Sequence, residues 1–245
     1  MSPSTVFAAS RREFSREIKF LVTAAQAEEI RHWSRNYLVP DPHCVETTGD
    51  RYPISSLYYD TADFAIFRRQ GWIRYSKFRI RRYAGGTVFL ERKLKVAGHV
   101  AKRRAPVTML ELAQVAALPT AARWFVEKTM ARGLRPVCQL DYERTARVLL
   151  TSNGPIRLTL DDNVCARPIE DAFFVDDIQP IRLTTEVVVE MKFRREMPLL
   201  FRELAALFNL TPRPFSKYHS AVETLQLCPL ASRSESGAIA PCPSS

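Results

Sequence analysis

Charged residues spaced two apart recur along this sequence. Lys77, Arg79 and Arg81 alternate with Phe78 and Ile80, and Glu91, Lys93 and Lys95 lie opposite Leu90 and Leu94. Glu17 and Lys19 flank Ile18. Arg157, Thr159 and Asp161 alternate with Ile156, Leu158 and Leu160. Glu186, Glu190 and Lys192 oppose Val187, Val189, Met191 and Phe193, and Tyr142 and Arg144 extend the set. In a β-strand, residues i, i+2 and i+4 share a face, so strand after strand carries an apolar face and a charged one. Like charges two residues apart repel unless an anion lies between them. Arginine forks and compact lysine charges are suited to phosphate oxygens. The carboxylates Glu17, Glu91, Asp161 and Glu190 could hold Mg²⁺ or Mn²⁺ against those oxygens. Ion pairing with neighbouring cations is the alternative use. Glu190, mid-strand in Glu190-Met191-Lys192, is the leading candidate metal ligand.

Positioning these groups requires a mostly β scaffold. Strands are expected over 17–22, 55–60, 73–83, 87–95, 137–148, 156–164 and 184–193. Ala84-Gly85-Gly86 supplies the turn of a hairpin between the third and fourth. Helices are expected from Ala24 to about Tyr37, after the Thr23/Gln26 capping signal, and over 109–118, after Thr108/Glu111. Thr120 starts another that Gly133 can end. A helix over 196–209 carries Leu199, Leu200, Leu204 and Leu207 at helical spacing. Ser216 caps a last helix running to about Gln226. The expected class is α+β. The charged faces are either the solvated side of an ordinary antiparallel sheet or the lumen of a closed antiparallel barrel whose apolar faces pack outward against helices. Residues 1–12 read as a flexible N-terminus, 13–227 as one domain and 228–245, rich in Ser, Pro and Ala, as a disordered tail.

Composition narrows the function. The 245 residues carry a formal net charge of +10, which points to an anionic partner. Five cysteines without CxxC spacing and four scattered histidines argue against a disulfide framework or a zinc site. No apolar run approaches a membrane span, and no signal-peptide pattern opens the chain, so a cytoplasmic location is expected. There is no P-loop, no GxGxxG after a strand and no kinase signature. Phe78 and Phe89 read as core residues opposite the cations, not as a stacking platform for nucleic-acid bases, so nucleic acid is not the expected partner.

The ordered set Glu17-Ile18-Lys19, Leu57-Tyr58-Tyr59-Asp60-Thr61, Lys77-Phe78-Arg79-Ile80-Arg81, Glu91-Arg92-Lys93-Leu94-Lys95, Tyr142-Glu143-Arg144, Leu158-Thr159-Leu160-Asp161, Glu190-Met191-Lys192 and Ser216-Lys217-Tyr218 resembles the VTC domain. That domain is the polyphosphate polymerase part of the vacuolar transporter chaperone complex and is also found alone in bacteria. It belongs to the triphosphate tunnel metalloenzymes, alongside CYTH-type triphosphatases. The resemblance, over about 13–226, implies a tunnel barrel, ATP as donor, Mn²⁺ or Mg²⁺ as cofactor and polyphosphate as product. It implies phosphate-binding roles for Lys19, Arg79, Arg81, Lys93, Arg144, Arg157 and Lys217, and a metal-binding role for Glu190. Lys77, Lys95, Lys192 and Ser216 join the substrate-binding set from their places on the charged faces and at a helix N-terminus, where phosphate is favoured. Wider-superfamily triphosphatases begin Glu-x-Glu-x-Lys. Ser15 stands here at the first Glu, which fits a polymerase better than a two-metal hydrolase.

The expected reaction is in-line transfer of the γ-phosphate of ATP to a growing polyphosphate chain, which needs positioning and electrostatics more than a protein base. A triphosphatase in the same tunnel and a non-catalytic polyphosphate- or RNA-binding module are the alternatives. The vacuolar complex's membrane and phosphate-sensing parts have no counterpart in this sequence, so membrane coupling is not carried over and a membrane or regulatory partner is left open. Arg68, Arg69, Lys102, Arg103 and Arg104 are expected outside the lumen, as a solvated face or a guide for emerging polymer.

Overall fold

A computed structural model describes residues 16–41, 44, 50–96 and 99–229. The expected N-terminal arm and nearly all of the expected tail lie outside the described residues, as does the side chain of Lys95. The chain runs β1 (Arg16–Val22), α1 (Ala24–Arg35), β2 (Val39–Pro40), β3 (Arg51–Asp60), β4 (Ser76–Tyr83), β5 (Val88–Val96) and β6 (His99–Val107). It continues through α2 (Met109–Ala113), α3 (Thr120–Met130), β7 (Arg135–Thr151), β8 (Gly154–Pro168), β9 (Ile181–Arg182), β10 (Val187–Phe193), α4 (Leu199–Leu207) and α5 (Lys217–Thr224). The class is α+β, as expected.

The strands form one antiparallel sheet in the order β1-β10-β8-β7-β3-β4-β5-β6, with β2 on β7 and β9 on β8. The turn between β4 and β5 uses backbone that favours glycine: Gly85 and Gly86 both have φ 81°. Local signals set the helix starts. Thr108 and Glu111 form a reciprocal capping box, and Ser216 accepts from His219 N–H at the start of α5. Thr23 accepts from Gln26 N–H, but the Gln26 side chain donates instead to Phe208 O on the α4 side.

The closed barrel expected from the sequence is not what the strand pairing shows: among the described residues no ladder joins β1 to β6. Part of the free edge of β1 is taken by the segment before α5, where Arg213 N–H donates to Lys19 O at 2.8 Å. At the other end, β6 carries Pro106, which has no N–H to offer a further strand. The sheet nevertheless curls until its two ends meet through side chains: Lys93 on β5 lies 2.8 Å from Glu17 on β1.

Two apolar clusters back this curled sheet. In one, Phe20, Leu158, Leu160, Val189 and Met191 pack with Ile30 of α1 and Phe201 and Leu204 of α4. In the other, Phe125 of α3 meets Phe78 and Tyr59 at ring distances of 6.0 and 5.5 Å. These helices cover the convex face, as the alternation predicted. Helix α5 departs from that expectation. Lys217 reaches Asp161, and Tyr218 stacks on Tyr58 at 5.4 Å, both on the charged face, so α5 enters the concave side of the sheet. No described helix is long and apolar enough to cross a membrane.

Candidate triphosphate site

Strand register brings the charged faces together row by row. Lys19 pairs across β10 with Glu190, which faces Thr159; Glu17 pairs with Lys192, which faces Arg157. Arg144 faces Asp161. Tyr58 faces Arg79, which faces Glu91, which faces Arg104. Lys77 faces Lys93, which faces Lys102. Cations outnumber carboxylates on this concave surface, and each of the four expected carboxylates is gripped by two of them. Glu190 lies 2.6 Å from Lys192 and 3.6 Å from Lys19. Glu17 lies 2.8 Å from Lys93 and 3.9 Å from Lys19. Glu91 lies 2.6 Å from Arg79 and 2.5 Å from Lys102. Asp161 accepts two bonds from Arg144, at 2.6 and 2.8 Å, and one from Lys217 at 2.6 Å.

Electrostatics follow from this pairing. Burial alone would raise the Asp161 carboxyl, but Arg144 and Lys217 pull it well below the usual carboxylate range. Burial likewise opposes ionisation of Glu190, and Lys192, Lys19 and Lys93 overcome it. Burial also pushes the Tyr58 phenol up, yet Arg79, Arg81 and Lys77 bring it down to about 7. Burial lowers Lys77 to about 8, with Lys19, Lys93 and Arg79 adding to the shift against the phenol's opposing pull. A bound anion would favour neutral Tyr58 and charged Lys77. ATP affinity is therefore expected to fall about tenfold between pH 7 and 9, a range in which the terminal phosphate, with a second pKa of about 6, is already ionised. Calorimetric titration at low salt checks this. Tyr58→Phe should flatten the lower half of the profile, and an affinity independent of pH from 6.5 to 9.5 would remove both groups from the site.

One mouth of the concave surface opens into a cavity of about 660 Å³ whose lining includes Glu17, Lys19, Lys77, Lys93 and Ser216. That volume is in the range of small-molecule sites. Arg79, Arg81, Arg144, Lys192 and Lys217 continue the same face beyond this lining. Arg157 is placed differently from the rest: it holds Asp41 at 2.9 Å and touches the Tyr52 hydroxyl at 3.4 Å. Glu186 leaves the set, since it lies outside β10 and pairs with Arg213 at 3.1 Å.

Several participants were not legible in the sequence. Strand β6 was missed, and with it the placement of Lys102 and Arg104 on the concave side, where both stay exposed as the basic run 102–104 suggested. Phe89 was misplaced. It faces Arg81 across the ladder on the cation side, and the Arg104 guanidinium lies 4.6 Å over its ring. Tyr58 and Tyr142 accept from Arg79 and Arg81 at 3.0 and 2.8 Å.

Asp60 was quoted only as part of a motif, yet it organises the mouth. Its buried carboxylate accepts from the backbone N–H of Thr61, Ile66 and Phe67 at 2.7–3.0 Å and from the Tyr218 hydroxyl. It thus ties the pocket-lining loop after β3 to the helix carrying Lys217. Asp60→Asn is expected to cost about 1–3 kcal/mol in urea unfolding, because amides facing a full carboxylate lose charge-assisted bonds. An unchanged midpoint and slope would show that this clasp carries no weight.

The four candidate metal ligands do not meet at one point, and no group of three or more His, Cys, Asp or Glu gathers among the described residues. Asp161 and Glu91 are consumed by arginine. Glu190 and Glu17 share Lys19 beside the open cavity, and the Thr159 hydroxyl facing Glu190 is buried without a hydrogen-bond partner. These are hard oxygen donors, so the residues present fit Mg²⁺ or Mn²⁺ completed by phosphate oxygens.

A curled antiparallel sheet with a cation-lined concave face is a fold of the triphosphate-tunnel type. The family model of the VTC domain matches residues 14–226, and the chain belongs to that family. Among solved structures, a candidate adenylate cyclase of Bacillus halodurans is similar at 15% identity, with 83% of this chain and 94% of that chain covered and a TM-score of 0.51, which supports the fold. Lower-scoring similarities are a Pyrococcus horikoshii protein (12% identity, 86% and 99% covered, TM-score 0.48) and a candidate adenylate cyclase of Vibrio parahaemolyticus (13% identity, TM-score 0.48). No curated protein matches the chain.

Proposed function

We propose that the chain is a polyphosphate polymerase that moves the γ-phosphate of ATP onto the end of a polyphosphate chain. The observation that supports this most is the double gripping of every concave-face carboxylate. Lys19, Lys93, Lys192, Arg79, Lys102, Arg144 and Lys217 are held in place by Glu17, Glu190, Glu91 and Asp161, so the cations are positioned before any phosphate arrives. Such preorganisation is what phosphoryl transfer asks of a protein. Phosphate oxygens entering the face exchange those carboxylate contacts for their own.

Lys19, Lys77, Lys93 and Ser216 at the mouth orient the triphosphate. Arg79 and Arg81 hold its equatorial oxygens, and Lys217 and Arg144 take the charge that grows on the bridging oxygen as the bond to ADP breaks. Glu190 and Glu17 would hold Mn²⁺ or Mg²⁺, which neutralises charge on the transferred group. The acceptor is a terminal phosphate already ionised at neutral pH, so no base has to remove its proton. His219, the cavity's histidine, is turned to Glu223 at 3.3 Å and packs on Phe67 at 4.4 Å.

The second reading, a triphosphatase, needs water activated at the same place. Counting products separates the two: a polymerase releases ADP with little orthophosphate, whereas a triphosphatase releases one orthophosphate per ADP. Equal release at all times would overturn the polymerase reading.

A further inference from the structure

The convex face carries a basic cluster that the lumen does not use. Arg92 on β5 and Arg103 on β6 are direct cross-strand partners, and both point away from the lumen side that Lys93, Lys102 and Arg104 occupy. Like charges placed opposite each other in a ladder destabilise it. Arg132, just past α3, approaches closely enough to add to the strain: burial first, then Arg132 and Arg103, pull the Arg92 guanidinium downward. Among the described residues no carboxylate forms a salt bridge with any of the three.

Aromatic rings hold them instead, and Arg92 also donates to Ser76 Oγ at 3.4 Å. Arg103 lies 4.5 Å over Trp124, Arg132 lies 4.5 Å over Trp72, and Arg92 lies 5.6 Å from the Phe78 ring centre. Stacking fixes a guanidinium plane while leaving its N–H fork for an oxyanion. Three buried donors here lack an acceptor: Arg92 Nε, Arg132 Nε and the Trp124 indole N–H. Buried donors without a protein partner are uncommon in folded proteins and leave room for an acceptor such as water or an oxyanion.

We propose that Arg92, Arg103 and Arg132, backed by Trp72 and Trp124, form a second phosphate-chain site on the convex wall, separate from the lumen, that takes inorganic polyphosphate. Three guanidiniums on β5, β6 and the end of α3 suit several linked phosphates better than one. Nucleic acid is disfavoured because arginine already covers a face of each indole that a base would stack on. The site stands on these residues and not on the reaction proposed for the lumen.

The test titrates tripolyphosphate into the full chain by calorimetry without metal, while tryptophan emission is followed. Two classes of site are expected. Arg103→Gln/Arg132→Gln should weaken one class about tenfold or more and abolish the emission change, leaving ATP turnover as in the wild type. Lys19→Gln/Lys217→Gln should remove the other class and spare the emission change, so failure of the lumen reading and failure of this one look different. Arg103→Gln alone, at an exposed position, serves if the double variant does not fold. A single class in the wild type, or two classes surviving Arg103→Gln, overturns the proposal. So does a single-stranded oligonucleotide or orthophosphate that displaces tripolyphosphate from this class at lower concentration.

Discussion

Asp161→Ala is expected to destabilise the fold by about 3–5 kcal/mol, the cost of breaking a buried ion pair from one side. Asp161 is fully buried and holds Arg144 through two bonds and Lys217 through one. Its removal leaves two cations facing each other in the curl of the sheet with nothing between them. A loss of that size is a large fraction of a domain's stability and is read from urea denaturation with tripolyphosphate absent. The same variant should recover more stability than the wild type when tripolyphosphate is added, because the anion replaces the missing carboxylate and binds only the folded form. A loss below about 1 kcal/mol, or no extra recovery, would mean that Arg144 and Lys217 find water instead and that the triad does not organise the site.

Glu190→Gln carries the second large effect, on rate. ATP turnover is expected to fall by about 10²–10³, the loss seen when one preorganised electrostatic group is removed from a transition state. Tripolyphosphate binding without metal should stay the same or tighten. The amide no longer competes for Lys192 and Lys19, which lie 2.6 and 3.6 Å from the carboxylate. This split distinguishes an enzyme from a binding module, since a passive binder would show only the affinity change. Unchanged turnover would remove Glu190 from the reaction.

How much of this was legible in the sequence depends on the element. Strands β1, β4, β5, β8 and β10 announce themselves by alternation, and the charged residues the alternation singled out share one face, while Arg82 of β4 and Arg92 of β5 break the pattern and turn to the other. Helices α2 and α5 were marked by the capping residues Thr108 and Ser216, whose side-chain bonds the structure shows. Strand β6 was hidden because Lys102-Arg103-Arg104 has no apolar alternation: it is an edge strand whose two faces both carry cations. How the sheet ends at β1 could not be read either, since its edge is met by the Arg213 N–H donating to the Lys19 carbonyl across more than 190 residues. The placement of α5 within the concave side is likewise non-local. It rests on Tyr218 meeting Asp60 and Lys217 meeting Asp161, contacts that no periodicity encodes. For the carboxylates, the sequence offered two uses and could not rank them. The structure commits Asp161 and Glu91 to arginine and leaves Glu190 and Glu17 beside the cavity.

The central claim is that this concave face joins phosphates and does not merely hold or hydrolyse them. Incubation of the purified chain with ATP and Mn²⁺, followed by ³¹P NMR, tests it most directly. The account predicts a growing resonance from internal phosphoanhydride groups beyond those of ATP, rising with ADP. Orthophosphate accumulating in step with ADP, with no internal resonance, would contradict it.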